Sequence, residues 1–123
     1  MQLTLSHVDD HTLAHTTGPI DESAREVFRE HLHPIVGQPG SKLIIDLTNS
    51  PRINSQGVSN LVTLVAHANT SGSRVILRNV ATFIAVVFSV TRLDQFFEIE
   101  PSAPKALPAQ PLTDQRAPAL VAE

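Results

Sequence analysis

The first part of the chain shows two kinds of hydrophobic pattern. Apolar and polar residues alternate in residues 2–6 and 11–17, and two aspartates at 9–10 separate these segments. A period of two is typical of half-buried strands, so the pattern predicts a β-hairpin. Over residues 24–36 the apolar positions instead recur every three or four residues, which predicts an amphipathic helix. Asp21 is expected to cap the start of that helix.

The middle of the chain continues as strand, helix and strand. Residues 43–47, LIIDL, form a short apolar run that predicts a central strand buried on both faces. Helical spacing of apolar residues from Val58 to Ala68 predicts a second helix, which should end near Gly72. Residues 74–78, RVILR, predict a further strand that is charged only at its ends.

Residues 79–91, NVATFIAVVFSVT, contain no charged side chain. Their length and their position after a strand favour a helix. The helix is interpreted either as deeply packed or as partly exposed, with its apolar surface serving a partner or a homodimer. Residues 96–99 predict a last short strand. On the helix predicted over residues 79–91, a buried stripe is expected to contain Phe83, Ile84, Val87, Phe88 and Thr91. Further apolar area on that helix is expected from Ala85, Val86 and Val90.

The composition of the chain changes at Pro101. Residues 101–123 hold five of the nine prolines and show no apolar periodicity, which predicts a proline-rich flexible tail. Residues 1–100 are expected to form one domain, because their length suits a single hydrophobic core. The element order β-β-α-β-α-β-α-β predicts an α/β fold with helices packed on a sheet.

Composition also narrows the classes of function. The absence of cysteine excludes disulfides, zinc–thiolate sites and cysteine nucleophiles. A net charge of −3 without a basic cluster argues against nucleic-acid binding. The N-terminus lacks the pattern of a signal peptide, and no apolar stretch is long enough for membrane insertion. A cytoplasmic location is therefore expected.

Histidines and serines raise two chemical alternatives, a metal site and a hydrolase. The histidines at 7, 11 and 15 straddle the predicted hairpin, His31 and His33 point to different sides of a helix, and His67 stands alone. Exposed polar residues are expected rather than a metal site. Ser55 has neither a Gly-x-Ser-x-Gly elbow nor a Ser-x-x-Lys partner, so we expect no enzyme and no cofactor.

Four segments in order carry a family resemblance. Residues 43–80, from LIIDLTNS to VILRNV, resemble the central part of STAS domains, the anti-sigma factor antagonists. That family has an apolar strand ending in Asp-Leu and then an Asp-Ser-Ser/Thr-Gly motif at the start of a helix. Residues 54–57, Asn-Ser-Gln-Gly, match the motif, with Asn in place of Asp and Gln in place of Ser or Thr. Residues 18–21, GPID, and 91–97, TRLDQFF, are similar to the family's Gly-x-Leu-Asp and Thr-Gly-Leu-Asp-x-x-Phe.

The resemblance covers roughly residues 1–100 and implies the STAS fold, a mixed β-sheet with helices packed mainly on one side. It implies a non-enzymatic antagonist that binds an anti-sigma factor of the serine-kinase type. In that family the kinase phosphorylates the motif serine, which matches Ser55, and thereby breaks the complex. Some relatives lack the phosphoserine, so the alternative function is an unphosphorylated scaffold subunit of a transport or signalling complex.

Ser55 also has a physical role at the start of a helix. Its hydroxyl is expected to cap the helix by accepting a hydrogen bond from a backbone N–H two or three residues later. A phosphate at that position would meet unpaired N–H groups and the positive end of the helix dipole. The partner-binding surface is expected to consist of Asp21, Asn49, Asn54, Ser55, Gln56, Gly57 and Val58.

Overall fold

The computed structural model describes residues 1–100, which form five strands and four helices. The predicted hairpin is confirmed as β1 (Gln2–Val8) and β2 (His11–Thr17). The remaining elements are α1 (Ala24–His31), α2 (His33–Val36), β3 (Lys42–Asn49), α3 (Ser55–Ser71), β4 (Arg74–Arg78), α4 (Thr82–Val90) and β5 (Glu98–Ile99). The prediction of a flexible tail over residues 101–123 lies outside the described residues.

The five strands form one mixed sheet in the order β1-β2-β3-β4-β5. β1 pairs antiparallel with β2, whereas the pairs from β2 to β5 are all parallel. β3 is therefore the central strand, and its residues 43–47 are all buried. The burial of these residues confirms the predicted central strand, and the parallel strands joined by helices confirm the α/β class.

Side chains on one face of the sheet pack against the helices. Leu43, Ile45 and Leu47 of β3 have no exposed surface, and they belong to one core cluster that also contains residues of all four helices. Ile44 alternates with these positions and is buried outside that cluster, as is Ile76 of β4. Since successive side chains of a strand point to opposite faces, the helices lie mainly on one side of the sheet.

The prediction of one continuous helix over residues 24–36 is wrong. α1 ends at His31, and α2 begins at His33 with Pro34 in its first turn. Proline has no backbone N–H and cannot donate to the carbonyl four residues earlier, so the chain breaks into two helices at Leu32. Leu32 itself is fully buried, which keeps both helices packed on the core.

The predicted helix over residues 79–91 is present as α4, but the predicted buried stripe is wrong in part. Ile84 and Phe88 are fully buried, whereas Phe83 is 50% exposed and Thr91 is also exposed.

Residues 91–96 form turns, so β5 is shorter than the strand expected over residues 96–99. Among residues 1–100, no helix is both long enough and apolar enough to cross a membrane.

Candidate functional site

The motif of residues 54–57 lies where the chain enters α3. Asn54 has an extended backbone, and its side-chain oxygen accepts a hydrogen bond of 2.9 Å from the N–H of Gly57. Asn54 is therefore the helix cap, and the prediction that Ser55 caps α3 is wrong. Ser55 is already the first helical residue and is exposed, and its hydroxyl makes no hydrogen bond to another residue within 1–100.

Gly57 allows two segments of backbone to touch. A Cβ atom at this position would overlap the carbonyl group of Ile20, with the carbonyl carbon only 2.5 Å away. No rearrangement of a side chain relieves that overlap, because the carbonyl group belongs to the backbone. Glycine is therefore required here for close approach, which brings the segment before α1 against the first turn of α3.

Backbone hydrogen bonds hold the same two segments together. The N–H of Gly18 donates to the carbonyl of Asn49 at 2.9 Å, and the N–H of Ile20 donates to that of Arg52 at 2.9 Å. The N–H of Asn54 donates back to the carbonyl of Ile20 at 3.2 Å. Residues 18–20 thus extend the parallel pairing of β2 and β3 into the loop, and they fix the following aspartate beside the motif.

Asp21 does not cap α1 as predicted. It lies three residues before the helix, and its carboxylate accepts hydrogen bonds from the hydroxyl of Ser23 at 2.5 Å and from its N–H at 2.9 Å. These two bonds lower the pKa of Asp21 below its ordinary value because they stabilise the ionised form. The carbonyl of Asp21 accepts a bond of 3.0 Å from the side chain of Asn60, which connects this turn to α3.

The predicted surface residues come together, although they differ in exposure. Gly57 is buried against the backbone of Ile20, and Val58 is half-buried against the core. These two residues therefore support the surface from its inner side. The residues that reach the surface itself are Asn49, Asn54, Ser55 and Gln56, which are exposed, and Asp21, which is half-buried.

Sequence reasoning missed three neighbours of this surface. Glu22 accepts a hydrogen bond of 3.4 Å from the side chain of Asn54, and Asn60 holds the turn at Asp21. Phe83 of α4 lines a shallow pocket of about 240 Å³ together with Asp21 and Asn54.

An apolar strip on α4 adjoins the same surface. Phe83, Val86 and Val90 are 50%, 54% and 78% exposed. Their spacing of three and four residues places them on one face of the helix. The interpretation of a partly exposed helix is therefore confirmed, and the interpretation of a deeply packed one is wrong. We call these three residues the α4 strip.

Two histidines that the sequence separated lie in contact. The rings of His33 and His67 stack with centroids 5.0 Å apart, and their Nδ1 atoms are 2.7 Å apart. Burial, and secondarily the charge of His67, lower the pKa of His33. Within residues 1–100 no three His, Asp or Glu side chains gather closely enough to hold a metal ion.

Ser55 presents an exposed hydroxyl at the motif, whereas a buried aspartate of β3 is occupied by other contacts. Asp46, the aspartate at the end of the apolar run, accepts hydrogen bonds from the N–H of Thr48 at 2.9 Å and from the amide of Asn79 at 3.3 Å. Its carboxylate therefore joins the end of β3 to the residue that follows β4. No hydrogen bond within the described part of the chain connects Ser55 to a histidine or a carboxylate.

Comparisons with known proteins agree with the fold. The solved structure of TM1081 from Thermotoga maritima, a candidate anti-sigma factor antagonist, is 19% identical with a TM-score of 0.69, over 84% of this chain and 89% of that one. The anti-sigma factor antagonist SpoIIAA in its unphosphorylated form is 17% identical with a TM-score of 0.61, over 85% of this chain and 92% of that one. At these identities the likeness is one of fold. The family model of the STAS domain matches residues 2–106, and this chain therefore belongs to the STAS domain family.

Proposed function

We propose that this protein is a non-enzymatic anti-sigma factor antagonist that is switched by phosphorylation of Ser55. In the proposed cycle the unmodified surface around the motif binds an anti-sigma factor of the serine-kinase type in the cytoplasm. The kinase then transfers a phosphate to Ser55, and the complex dissociates. The observation that carries the proposal is the exposed hydroxyl of Ser55 at the first position of α3, which makes no hydrogen bond to another residue within 1–100.

The cap at Asn54 supports this role for Ser55. Because Asn54 satisfies the N–H of Gly57, the Ser55 hydroxyl is not needed to hold the helix start. A phosphate on that hydroxyl would be stabilised by the positive end of the helix dipole, so modification should leave the fold intact. The charge would instead change the surface that meets the partner.

Phosphorylation itself is tested by incubating the protein with a kinase-type anti-sigma factor and ATP and then measuring its intact mass. We expect a gain of one phosphate in the wild type and in Ser59→Ala, and no gain in Ser55→Ala. Ser59 is the matched control because it is an exposed serine one turn later on α3. A gain that persists in Ser55→Ala, or no gain in the wild type, would refute the phosphorylation of Ser55.

The α4 strip supports a second candidate function, a scaffold subunit or homodimer without phosphorylation. Three exposed apolar side chains in a row are typical of a surface that another protein covers. The strip also adjoins the motif through Phe83, so one partner can contact both. A stable complex that is insensitive to ATP would favour this second candidate.

Charge on the α4 strip should weaken association without unfolding the protein. For Val86→Glu we expect at least about a tenfold lower affinity for the partner or for a second copy, because a desolvated charge replaces an apolar contact. Isothermal titration calorimetry and analytical ultracentrifugation measure the two cases. Ala85→Glu is the control, since Ala85 is exposed on another face of the same helix. Unfolding of Val86→Glu, or an equal loss in the control, would contradict this role.

A further inference from the structure

A cleft of about 530 Å³ lies between α1 and α3. The side of the cleft that α3 provides is polar, with Gln56, Ser59, Asn60 and Thr63. Phe28 of α1 contributes an apolar part of the lining and is itself almost fully buried. Neither the amide of Gln56 nor the hydroxyl of Ser59 is hydrogen-bonded to another side chain in residues 1–100, so both can serve a ligand.

Among the described residues, two guanidinium groups and no carboxylate line this cleft. Arg25 and Arg29 are four residues apart on α1, so they share one helix face and repel each other. Glu26 forms an ion pair with Arg29, whereas Arg25 has no ion-pair partner within residues 1–100. The whole chain carries 12 acidic and 9 basic side chains, so a cationic lining departs from its overall charge. Repulsion of this kind is relieved by an anionic ligand.

We propose that the cleft binds a carboxylate-rich segment of a partner protein. Guanidinium groups bind carboxylates through paired hydrogen bonds, and the exposed amide of Gln56 and hydroxyl of Ser59 can donate further hydrogen bonds to them. The cleft is partly open to solvent, so it can accept side chains presented by a protein surface. This inference rests on the proposed function in naming the anti-sigma factor as that partner.

The position of the cleft connects it to the switch. Gln56 lines the cleft and directly follows Ser55 in the first turn of α3. A phosphate on Ser55 would therefore repel carboxylates bound in the cleft, and Arg25 offers that phosphate a competing cation. Both effects would release an acidic segment from the cleft, and phosphorylation of Ser55 would thereby dissociate the complex.

The cleft is tested on the full chain with a hexaglutamate peptide, by following backbone amide signals in NMR titrations at constant ionic strength. We expect saturable shifts at Ser59 and Thr63, no shifts with hexalysine, and about tenfold weaker binding by Arg25→Glu. Arg92→Glu, an exposed charge reversal in the turn after α4, should bind like the wild type. Absence of saturable shifts, shifts outside the cleft, equal binding by Arg25→Glu, or equal shifts from inorganic phosphate would overturn the proposal.

A second measurement separates this inference from the proposed function. Affinity for the kinase-type anti-sigma factor is compared between the wild type and Arg25→Glu. A loss of about tenfold in the variant supports the cleft as a contact, and equal affinities overturn it while leaving the proposed function in place. If the wild type does not bind the anti-sigma factor but hexaglutamate occupies the cleft, the proposed function fails and the carboxylate site stands.

Discussion

Replacing Gly57 with alanine is expected to lower the free energy of unfolding by about 3 kcal/mol and to abolish partner binding. The added Cβ would overlap the backbone carbonyl of Ile20, so the segment before α1 must move away from α3. That movement breaks the hydrogen bond from Asn54 to Ile20 and separates Asp21 from the motif. Stability and the shape of the site therefore depend on the same contact.

Chemical denaturation followed by circular dichroism measures the change in stability. Gln56→Ala is the matched control, because Gln56 is exposed on the same helical turn and alanine favours helix. We expect the control to differ from the wild type by no more than about 0.5 kcal/mol. A Gly57→Ala protein as stable as this control would show that the backbone segments can separate at little cost.

Much of the fold was predictable because its signals are local. The period of two in β2 and the apolar run of β3 correspond directly to the strands observed. Gly72 ends α3 in the left-handed conformation that glycine favours. The break at Leu32 had a local signal as well, since Pro34 stands inside the helical pattern.

The details of the site were less predictable because they depend on contacts between distant residues. Asn54 and Ser55 are both good capping residues, and the backbone geometry at the junction decides which of them caps α3. The contact of His33 with His67 needs α2 and α3 to be adjacent, which no sequence spacing reveals. The exposure of Phe83 likewise follows from how α4 is rotated on the sheet and not from its composition.

Phosphorylated Ser55 is expected to bind the anti-sigma factor at least about 100-fold more weakly than the unmodified protein. The phosphate adds a charge of about −1.5 to −2 beside Asp21 and Glu22. Burial of that charge in an interface costs about 3 kcal/mol or more, which corresponds to the stated loss of affinity. The fold should be unchanged, because the phosphate lies at the positive end of the α3 dipole.

Calorimetric titration of the two purified forms with the anti-sigma factor measures this difference. The control is Asn69→Asp, which adds charge at an exposed position near the far end of α3, outside the cleft, and should keep the affinity of the wild type. Circular dichroism of the phosphorylated form separates loss of binding from loss of fold. Equal affinities of the two forms would place the regulation elsewhere and favour the scaffold function. Lost binding together with unfolding would mean that the charge acts on the start of α3, where Asn54 holds the cap.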